Sequence, residues 1–312
     1  MMESNMKHWL RFALILGFLA TGLGLAGQAR ADSLGFAVSP PAIELTADPG
    51  QTVSNSFKII NLTDTTLTLQ ADRNNFVAKG EEGQVDLTTS DDLYSLAPWF
   101  TATPAIITVP PRGTQSVGFS IAVPVNAEPG GRYGSLVFHT LTGTLPNGQS
   151  GAAVKQQLAT LIFLRISGAA HDEVKIASFT TDKNSYEYGP IKFSTRVQNL
   201  GNVHEKPTGT ITIKDLLGRT VSTLKLDPKN VIPQAIRRTD TSWSKKLLFG
   251  RYTATLVLNN GTFQQLTAQT SFVVIPYKLI GVVLLIVIIL YLLVWRNRKR
   301  FNRAFKVLFS KD

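Results

Sequence analysis

The sequence predicts an all-β protein with two tandem immunoglobulin-like β-sandwich domains plus one C-terminal transmembrane α-helix. Stretches such as "QTVSNSFKIINLT" and "AIITVPPRGTQSVGFSIAVP" alternate apolar and polar residues between turns of Gly, Pro, Asn and Asp, and no long stretch has helical periodicity. Short strands at this spacing are typical of β-sandwiches. A long apolar run near the C-terminus predicts the helix.

A repeated series of motifs predicts that the two sandwiches share one fold. "FKIINLTDTTLTLQ" matches "FSTRVQNLGNVHEKPTGTITI" around Asn61 and Asn199, and "VPPRGTQSVGFSI" parallels "VIPQAIRRTDTSW". "EPGGRYGSLVF" then parallels "LLFGRYTATLVL", in the same order in both halves. The first copy is longer between its Asn and its Gly-Arg-Tyr, which predicts an insertion within Arg73–Phe100.

The N-terminus has the layout of a secretory signal peptide. Two basic residues precede the apolar core "FALILGFLA", and "ARA" supplies small residues for cleavage after Ala31. The small polar stretch "SGAAHDE" separates the two sandwiches. The predicted segments are the signal peptide at 1–31, a first sandwich at 32–168, a second sandwich at 169–276, the transmembrane helix at 277–295 and a basic cytoplasmic tail at 296–312.

The apolar run "YKLIGVVLLIVIILYLLVW" is followed at once by "RNRKR". Aromatic rings favour the two membrane interfaces, and positive residues stay on the cytoplasmic side. We therefore expect a single-pass plasma-membrane protein with extracellular sandwiches and a tail lying on the anionic inner leaflet. The residues predicted to anchor the span are Tyr277, Trp295, Arg296, Arg298, Lys299 and Arg300.

Charge and cysteine content exclude two classes of function. The formal net charge is +11, but the excess lies at the two ends, and the stretch between them is nearly neutral. A nucleic-acid partner is therefore not expected. The chain has no cysteine, which excludes disulfides, thiolate catalysis and Cys-based zinc sites.

No motif of an active site occurs in the sequence. There is no nucleophile elbow, zinc-protease helix, P-loop or dinucleotide fingerprint, and no two of the four His have metal-ligand spacing. We expect no catalytic residue, no cofactor and no metal, hence no enzyme. A calcium site among the carboxylates of Glu81–Asp92 is an alternative that the sequence leaves open.

Two local clusters are candidate binding residues. Trp99 and Phe100 form either an aromatic platform for a glycan or partner, or a core anchor at a sandwich corner, and the anchor is the preferred interpretation. In "NLGNVHEKPTG", His204, Glu205 and Lys206 are interpreted as exposed turn charges that would contact a partner rather than perform chemistry. The Tyr of each Gly-Arg-Tyr is predicted to pack inward and bond nearby backbone, as in a tyrosine corner.

The stretches "VSPPAIELTADPGQTVSNSFKIINLTDTTLTLQ", "ITVPPRGTQSVGFSIAVP", "PGGRYGSLVF" and "VQNLGNVHEKPTGTITI" give the chain the layout of a known family. It resembles the WxL-interacting proteins of Gram-positive cell surfaces. That resemblance implies one immunoglobulin-like domain associated with peptidoglycan, a second associated with a host or partner protein, and attachment to the envelope. The first domain is also similar to periplasmic pilus-chaperone domains, which share the Pro-rich loop between strands.

The expected function is that of a non-enzymatic, membrane-anchored envelope protein. It would bind or scaffold peptidoglycan, a cell-wall glycan, or another envelope or surface protein, through sheet edges that can accept a strand. One alternative is an adhesin or pilus-chaperone-like assembly factor for surface proteins. The other is an envelope hydrolase, which requires His139, His171 and His204 to converge with carboxylates in one cleft.

Overall fold

A computed structural model describes residues 35–102, 104–141, 156–259 and 265–296. The predicted signal peptide lies outside the described residues, and so do Arg298, Lys299, Arg300 and the rest of the basic tail. Within the described residues the chain is mostly β-strand, with one apolar helix at the C-terminal end. This confirms the β-rich class with a C-terminal helix.

The N-terminal half, up to residue 166, forms two facing sheets. One has the strand order β1-β3-β8-β6, and the other has β2-β10-β9-β4-β5, with β7 also pairing to β4. A 3-10 turn at Ala97–Trp99 leads into β6. The strands are β1 (Phe36–Ser39), β2 (Ala42–Ala47), β3 (Thr52–Asn61), β4 (Leu67–Lys79), β5 (Gln84–Thr88), β6 (Phe100–Ala102), β7 (Ile106–Val109), β8 (Thr114–Ala122), β9 (Gly130–Thr140) and β10 (Gln157–Ile166).

The C-terminal half, from residue 174, also forms two facing sheets. Their strand orders are β11-β13-β16 and β12-β18-β17-β14-β15. The strands are β11 (Val174–Thr181), β12 (Ser185–Tyr186), β13 (Ile191–Asn199), β14 (Thr208–Lys214), β15 (Thr220–Lys225), β16 (Ile236–Trp243), β17 (Gly250–Asn259) and β18 (Gln265–Val274).

Each half has its own apolar core, because alternate residues of the strands point between its two sheets. In the N-terminal half Phe57 of β3 packs on Phe138 of β9, with ring centroids 5.0 Å apart. In the C-terminal half Phe272 of β18 packs on Phe193 of β13 at 5.8 Å. The two core clusters share no residue.

Helix α1 spans Tyr277–Arg296 and projects from the end of β18. Its 20 residues extend about 30 Å, the thickness of a bilayer's hydrocarbon core. None of its residues is buried, and it is the one helix among the described residues that is long and apolar enough to cross a membrane. Tyr277 and Trp295 lie at its two ends, as the sequence predicts for a single span.

Candidate binding cleft between the two halves

The two halves meet around the turn that follows Asn199. The backbone of Asn202 accepts a hydrogen bond from the Gly131 N–H at 2.8 Å. Its side-chain amide donates to the Pro129 carbonyl at 3.1 Å and accepts from the His171 N–H at 2.9 Å. The turn after Asn199 therefore contacts the start of β9 and the segment that joins the halves.

Asn199 shapes this turn through its buried side chain. Its amide donates to the carbonyls of Val203 and Val231, both at 2.7 Å, and its oxygen accepts from the Gly201 N–H at 2.8 Å. Asn61 makes the equivalent bonds in the N-terminal half, to the carbonyls of Thr65 and Val109 and from the Thr63 N–H. The repeated motif around Asn61 and Asn199 therefore forms the same hydrogen-bonded turn in both halves.

His204 lies against an aromatic cluster of the N-terminal half. Its ring packs on Tyr133 of β9 and Phe163 of β10, with centroids 5.7 and 5.3 Å away. Its Nδ1 is 3.5 Å from the Tyr133 hydroxyl. Burial lowers the pKa of His204 to about 4, so the ring is neutral at physiological pH.

Glu205 is 6% exposed and lies deeper than its neighbours. Its backbone exchanges two hydrogen bonds with Val231, at 3.0 and 2.8 Å. Burial raises the pKa of Glu205 to about 7; the nearby Asp172 adds to this rise, and Arg165, whose Nη1 is 4.0 Å from the Glu205 carboxylate, opposes it.

Lys206 is exposed and reaches across the junction. Its Nζ lies 3.0 Å from the Glu44 carboxylate of β2, which also accepts from the Asn230 amide at 2.8 Å. The bond from Asn230, followed by Lys206, lowers the pKa of Glu44.

The interpretation of His204, Glu205 and Lys206 as exposed turn charges is therefore wrong for the first two. The residue types of this turn are those of an ordinary exposed polar loop, so the sequence gives no sign of burial. Burial arises because the first half packs over it.

Trp99 and Phe100 occupy the sandwich corner that the sequence predicts. Phe100 is 2% exposed and belongs to the N-terminal core, with its ring 6.0 Å from Phe119. Trp99 is half-buried against the same core, and the Arg132 guanidinium lies 5.4 Å from its ring centroid. The interpretation as a core anchor is confirmed for Phe100, and Trp99 is covered by Arg132 on its outer side.

The two Gly-Arg-Tyr tyrosines differ. The Tyr252 hydroxyl donates to the Phe249 carbonyl at 3.1 Å, which confirms the predicted tyrosine corner. Tyr133 is also buried, but its hydroxyl faces His204 of the C-terminal half, 3.5 Å from the His204 Nδ1. Burial raises the pKa of Tyr133 far above its ordinary value.

The tip of the β4–β5 hairpin bridges to the C-terminal half. Glu81 pairs with Arg196 of β13, with its Oε2 2.6 Å from Nε, and Glu82 pairs with Arg238 of β16 at 2.6 Å. The Arg238 N–H also donates to the Glu81 carbonyl at 2.7 Å. These carboxylates are held by arginines, and the part of the chain that the structure describes contains no group of three His, Asp or Glu residues that could hold a metal.

Two adjoining cavities of about 190 and 290 Å3 open between this hairpin and the C-terminal half. We call them together the junction cleft. Its first wall comes from β4, β5 and β10, and its second wall from β16 and the segment before it. The residues that line it are Ala42, Phe76, Val77, Ala78, Gly80, Gly83, Gln84, Val85, Asp92, Tyr94, Tyr133, Leu161, Phe163, Asn230, Val231, Ile232, Pro233, Gln234, Ala235, Ile236 and Arg237.

Two polar atoms of the junction cleft lack partners. The Nε of Arg237 and the Oδ1 of Asn230 are both buried, and neither forms a hydrogen bond within the described ranges. Burial lowers the pKa of Arg237, so this guanidinium has lost water without gaining a counter-charge. An unpaired buried donor costs about 1–3 kcal/mol, which a ligand that pairs with it would recover. Sequence reasoning missed Arg237, because "RRTD" alone does not tell which Arg faces the cleft.

The histidines do not share one site. His139 Nδ1 lies 3.3 Å from Asp72, and His171 Nε2 lies 2.9 Å from Glu173, while His204 packs on aromatic rings. Each therefore has its own partners, and the described residues do not show the convergence of His139, His171 and His204 on which the hydrolase alternative depends.

No protein-family model and no curated protein matches the sequence. Several solved structures are similar in fold. The class 5 fimbriae chaperone CfaA is 14% identical, with a TM-score of 0.40, and the match covers 76% of this chain and 99% of that one. The E. coli chaperone DraB is 11% identical with a TM-score of 0.36, over 75% and 96% of the two chains. The Pseudomonas aeruginosa CupB2 chaperone is 11% identical with a TM-score of 0.34, over 73% and 97%. At this identity the similarity concerns the fold alone.

Proposed function

We propose that this protein is a single-pass, non-enzymatic envelope protein that binds a segment of another surface protein in the junction cleft. Its two halves act as tandem immunoglobulin-like domains, and α1 anchors them to the membrane with the sandwiches outside. The observation that carries the proposal is the junction cleft itself, where apolar walls surround a buried donor and a buried acceptor without partners.

A polypeptide fits the chemistry of this cleft. Each peptide group offers a carbonyl and an N–H, which can pair with the Arg237 Nε and the Asn230 Oδ1 when these two side chains turn towards the cleft. The apolar walls, from Phe76, Leu161 and Phe163, favour an apolar side chain on that segment. Since no carboxylate of the described residues pairs with Arg237, an acidic neighbour on the same segment adds a charge-assisted hydrogen bond.

The edge strand β5 gives such a segment a second means of attachment. β5 pairs with β4 on one side, and its outer backbone groups have no partner among the described residues. Gln84 and Val85 of this strand also line the junction cleft. A partner strand added to β5 would therefore run along the cleft and combine main-chain pairing with side-chain contacts.

A role as an assembly factor for surface proteins is the second candidate, and the same open edge supports it. Such a factor would release its client, whereas a scaffold would keep its partner. Peptidoglycan is the other ligand class that the predicted envelope location allows, and the following experiment includes it as a separate arm.

The test uses the full chain with a photo-crosslinker on a single cysteine at Ala78→Cys, an exposed cleft position in a chain that has no cysteine of its own. We expect crosslinking in intact envelopes to one defined surface protein, and none from Asn126→Cys. Arg237→Met is expected to lower the yield at least fivefold, while its neighbour Arg238→Met, which removes an outer ion pair with Glu82, leaves it unchanged.

Equal loss with both arginine variants, or equal crosslinking from both cysteines, would contradict a cleft-bound partner. A different outcome would identify the glycan as the ligand instead of a polypeptide. In that case no protein adduct forms, and the full chain co-sediments with purified peptidoglycan equally well with and without Arg237→Met. Thiol labelling of Asn126→Cys from outside intact cells checks the orientation, which is expected to place residue 126 outside.

A further inference from the structure

Three loops of the C-terminal half lie at the end from which α1 projects. β12 and β17 both pair with the last residue of β18, at Tyr186↔Val274 and Gly250↔Val274. The end of β14 lies beside the start of β17, at Lys214↔Thr253. The loops at 187–190, 215–219 and 244–249 therefore share one end of the sandwich, and we call them the basal loops.

The basal loops expose large apolar side chains. Leu247 is 79% exposed, Leu216 77%, Leu217 74% and Phe249 71%. Apart from Tyr188, which lies in the same loops, and Ile275 beside the helix, no other large apolar side chain is exposed in the described part of 174–276. Single exposed leucines are ordinary on protein surfaces, but such clustering at one end marks an interaction surface.

One basal loop lies directly against the first turns of α1. Leu247 and Phe249 line a shared groove with Leu279, Ile280 and Val283 of the helix. Val283 lies about 9 Å along the helix axis from Tyr277. If α1 spans a bilayer from its first turn, the loop that contacts these residues reaches the depth of the upper acyl chains.

Basic side chains surround this apolar surface. Lys245 and Lys246 are exposed on the loop that carries Leu247, and no ion pair involves them within the described residues. Lys278 at the start of α1 pairs with Glu187 of another basal loop at 3.1 Å, which ties the helix to the sandwich. Arg219 pairs with Asp215 at 2.8 Å. Lysines beside apolar tips match the phosphates above the acyl region of a lipid surface.

We infer that the basal loops form a membrane-resting face that inserts into the outer leaflet of the same bilayer that α1 crosses. Leu216, Leu217, Leu247 and Phe249 enter the boundary between headgroups and acyl chains, and Lys245 and Lys246 contact lipid phosphates. This inference rests on the proposed single span, because the helix sets the depth of the loops. The ectodomain would then stand on the membrane at a fixed angle instead of swinging on Pro276.

Depth measurements on the full chain in nanodiscs test the inference. Single cysteines at Phe249→Cys and Leu217→Cys carry a polarity-sensitive fluorophore, and the lipids carry a nitroxide high on the acyl chain. We expect at least twofold quenching and a blue-shifted emission at both positions. Val125→Cys, at a residue 85% exposed in the N-terminal half, is the matched control and should show neither.

A further cysteine at Ile288→Cys, in the middle of α1, distinguishes failure of the membrane-resting face from failure of the transmembrane span. Quenching at 288 by a nitroxide deep in the bilayer, without quenching at 217 and 249, would overturn the membrane-resting face and keep the span. No quenching at 288 would overturn the span itself.

The lysines are tested by comparing anionic phosphatidylglycerol with neutral phosphatidylcholine. We expect stronger quenching at 217 in the anionic nanodiscs, and we expect Lys245→Gln/Lys246→Gln to abolish this difference. A lipid dependence that survives the double substitution would overturn the assignment of phosphate contact to these lysines.

Discussion

The turns after Asn61 and Asn199 have the same design and different surroundings. Both asparagines are buried, and each oxygen accepts a hydrogen bond from the N–H two residues later, at 2.9 Å from Thr63 and 2.8 Å from Gly201. The first turn continues into exposed Thr and Asp residues, whereas the second carries His204 and Glu205 into the junction. The same turn is thus a surface loop in the N-terminal half, whereas in the C-terminal half it packs against the other half of the protein.

Residues at equivalent positions of the two turns differ because the turns lie in different surroundings. Thr63 is half-buried, with its hydroxyl bonded to Asn61. A Cβ at the equivalent Gly201 would lie 2.1 Å from the His171 carbonyl oxygen. The C-terminal copy therefore needs glycine for close approach to the joining segment. The two halves share the Asn and its bonds to backbone, while the residues after it differ according to what covers them.

The largest expected effect is from removing the asparagines. Asn199→Ala removes three buried hydrogen bonds and leaves the Val203 carbonyl without a partner among the described residues, so it should lower the free energy of unfolding by about 4 kcal/mol. Asn61→Ala should cost about 2 kcal/mol, since water can reach part of its turn. Urea unfolding of the full chain in detergent measures both, with the exposed Asn126→Ala as control. Equal costs would show that the junction does not seal the second turn.

A methyl group at Gly201 tests the close approach of the two segments. Gly201→Ala should cost about 3 kcal/mol, because the neighbouring atom is backbone and cannot move aside cheaply. The matched change Thr63→Gly removes hydroxyl bonds at a solvated turn and should cost about 1 kcal/mol. Thermal unfolding of both variants shows which one loses more stability. A Gly201→Ala variant that unfolds at the same temperature as the original protein would contradict the close approach of the two segments.

The two titrating groups of the second turn should give opposite pH dependences that the first turn lacks. The raised pKa of Glu205, about 7, means that the folded protein keeps a proton that the unfolded chain has released, so this contribution to stability falls as the pH rises from about 4.5 to 7. The lowered pKa of His204, about 4, means that its contribution falls as the pH drops from about 6.5 to 4.

Substitution separates these two contributions. With Glu205→Gln, stability should decline on acidification below pH 6.5, and with His204→Asn it should decline as the pH rises towards 7. Chemical unfolding at pH steps between 4 and 8 measures both. If the free energy of unfolding of both variants changed with pH in the same direction, the opposite pH dependences of Glu205 and His204 would be contradicted.

The smallest effect is expected at the hairpin tip. Glu82→Gln breaks an exposed pair with Arg238 and should cost about 0.5 kcal/mol, with an effect that fades at high salt. Arg112 and Asp64 in the N-terminal half form a more exposed pair away from the junction, so Asp64→Asn is the control and should cost no more than Glu82→Gln. Unfolding at 0.05 and 1 M NaCl compares them, and a loss above 2 kcal/mol for Glu82→Gln would make the hairpin tip a main support of the junction.

The strands, the helix and the repeated turns could be predicted from the sequence, because each depends on residues that are close together along the chain. Alternation of apolar residues predicted the strands, since a side chain's face follows from its position along a strand. An apolar run of bilayer length predicted α1, and the repeated Asn and Gly-Arg-Tyr motifs located equivalent turns in both halves. Phe100 as a core anchor and Tyr252 as a tyrosine corner followed from residue type and place.

What lies at the junction depends on how the two halves pack. His204 is half-buried and Glu205 is buried because β9, β10 and the joining segment cover their turn, which no local pattern records. Arg237 and Arg238 are neighbours in sequence, yet Arg237 lines the junction cleft with no ion pair among the described residues, and Arg238 pairs with Glu82. The physical reason is that burial and pairing depend on which surfaces meet over long sequence separations, and these are set by the packing of the two halves.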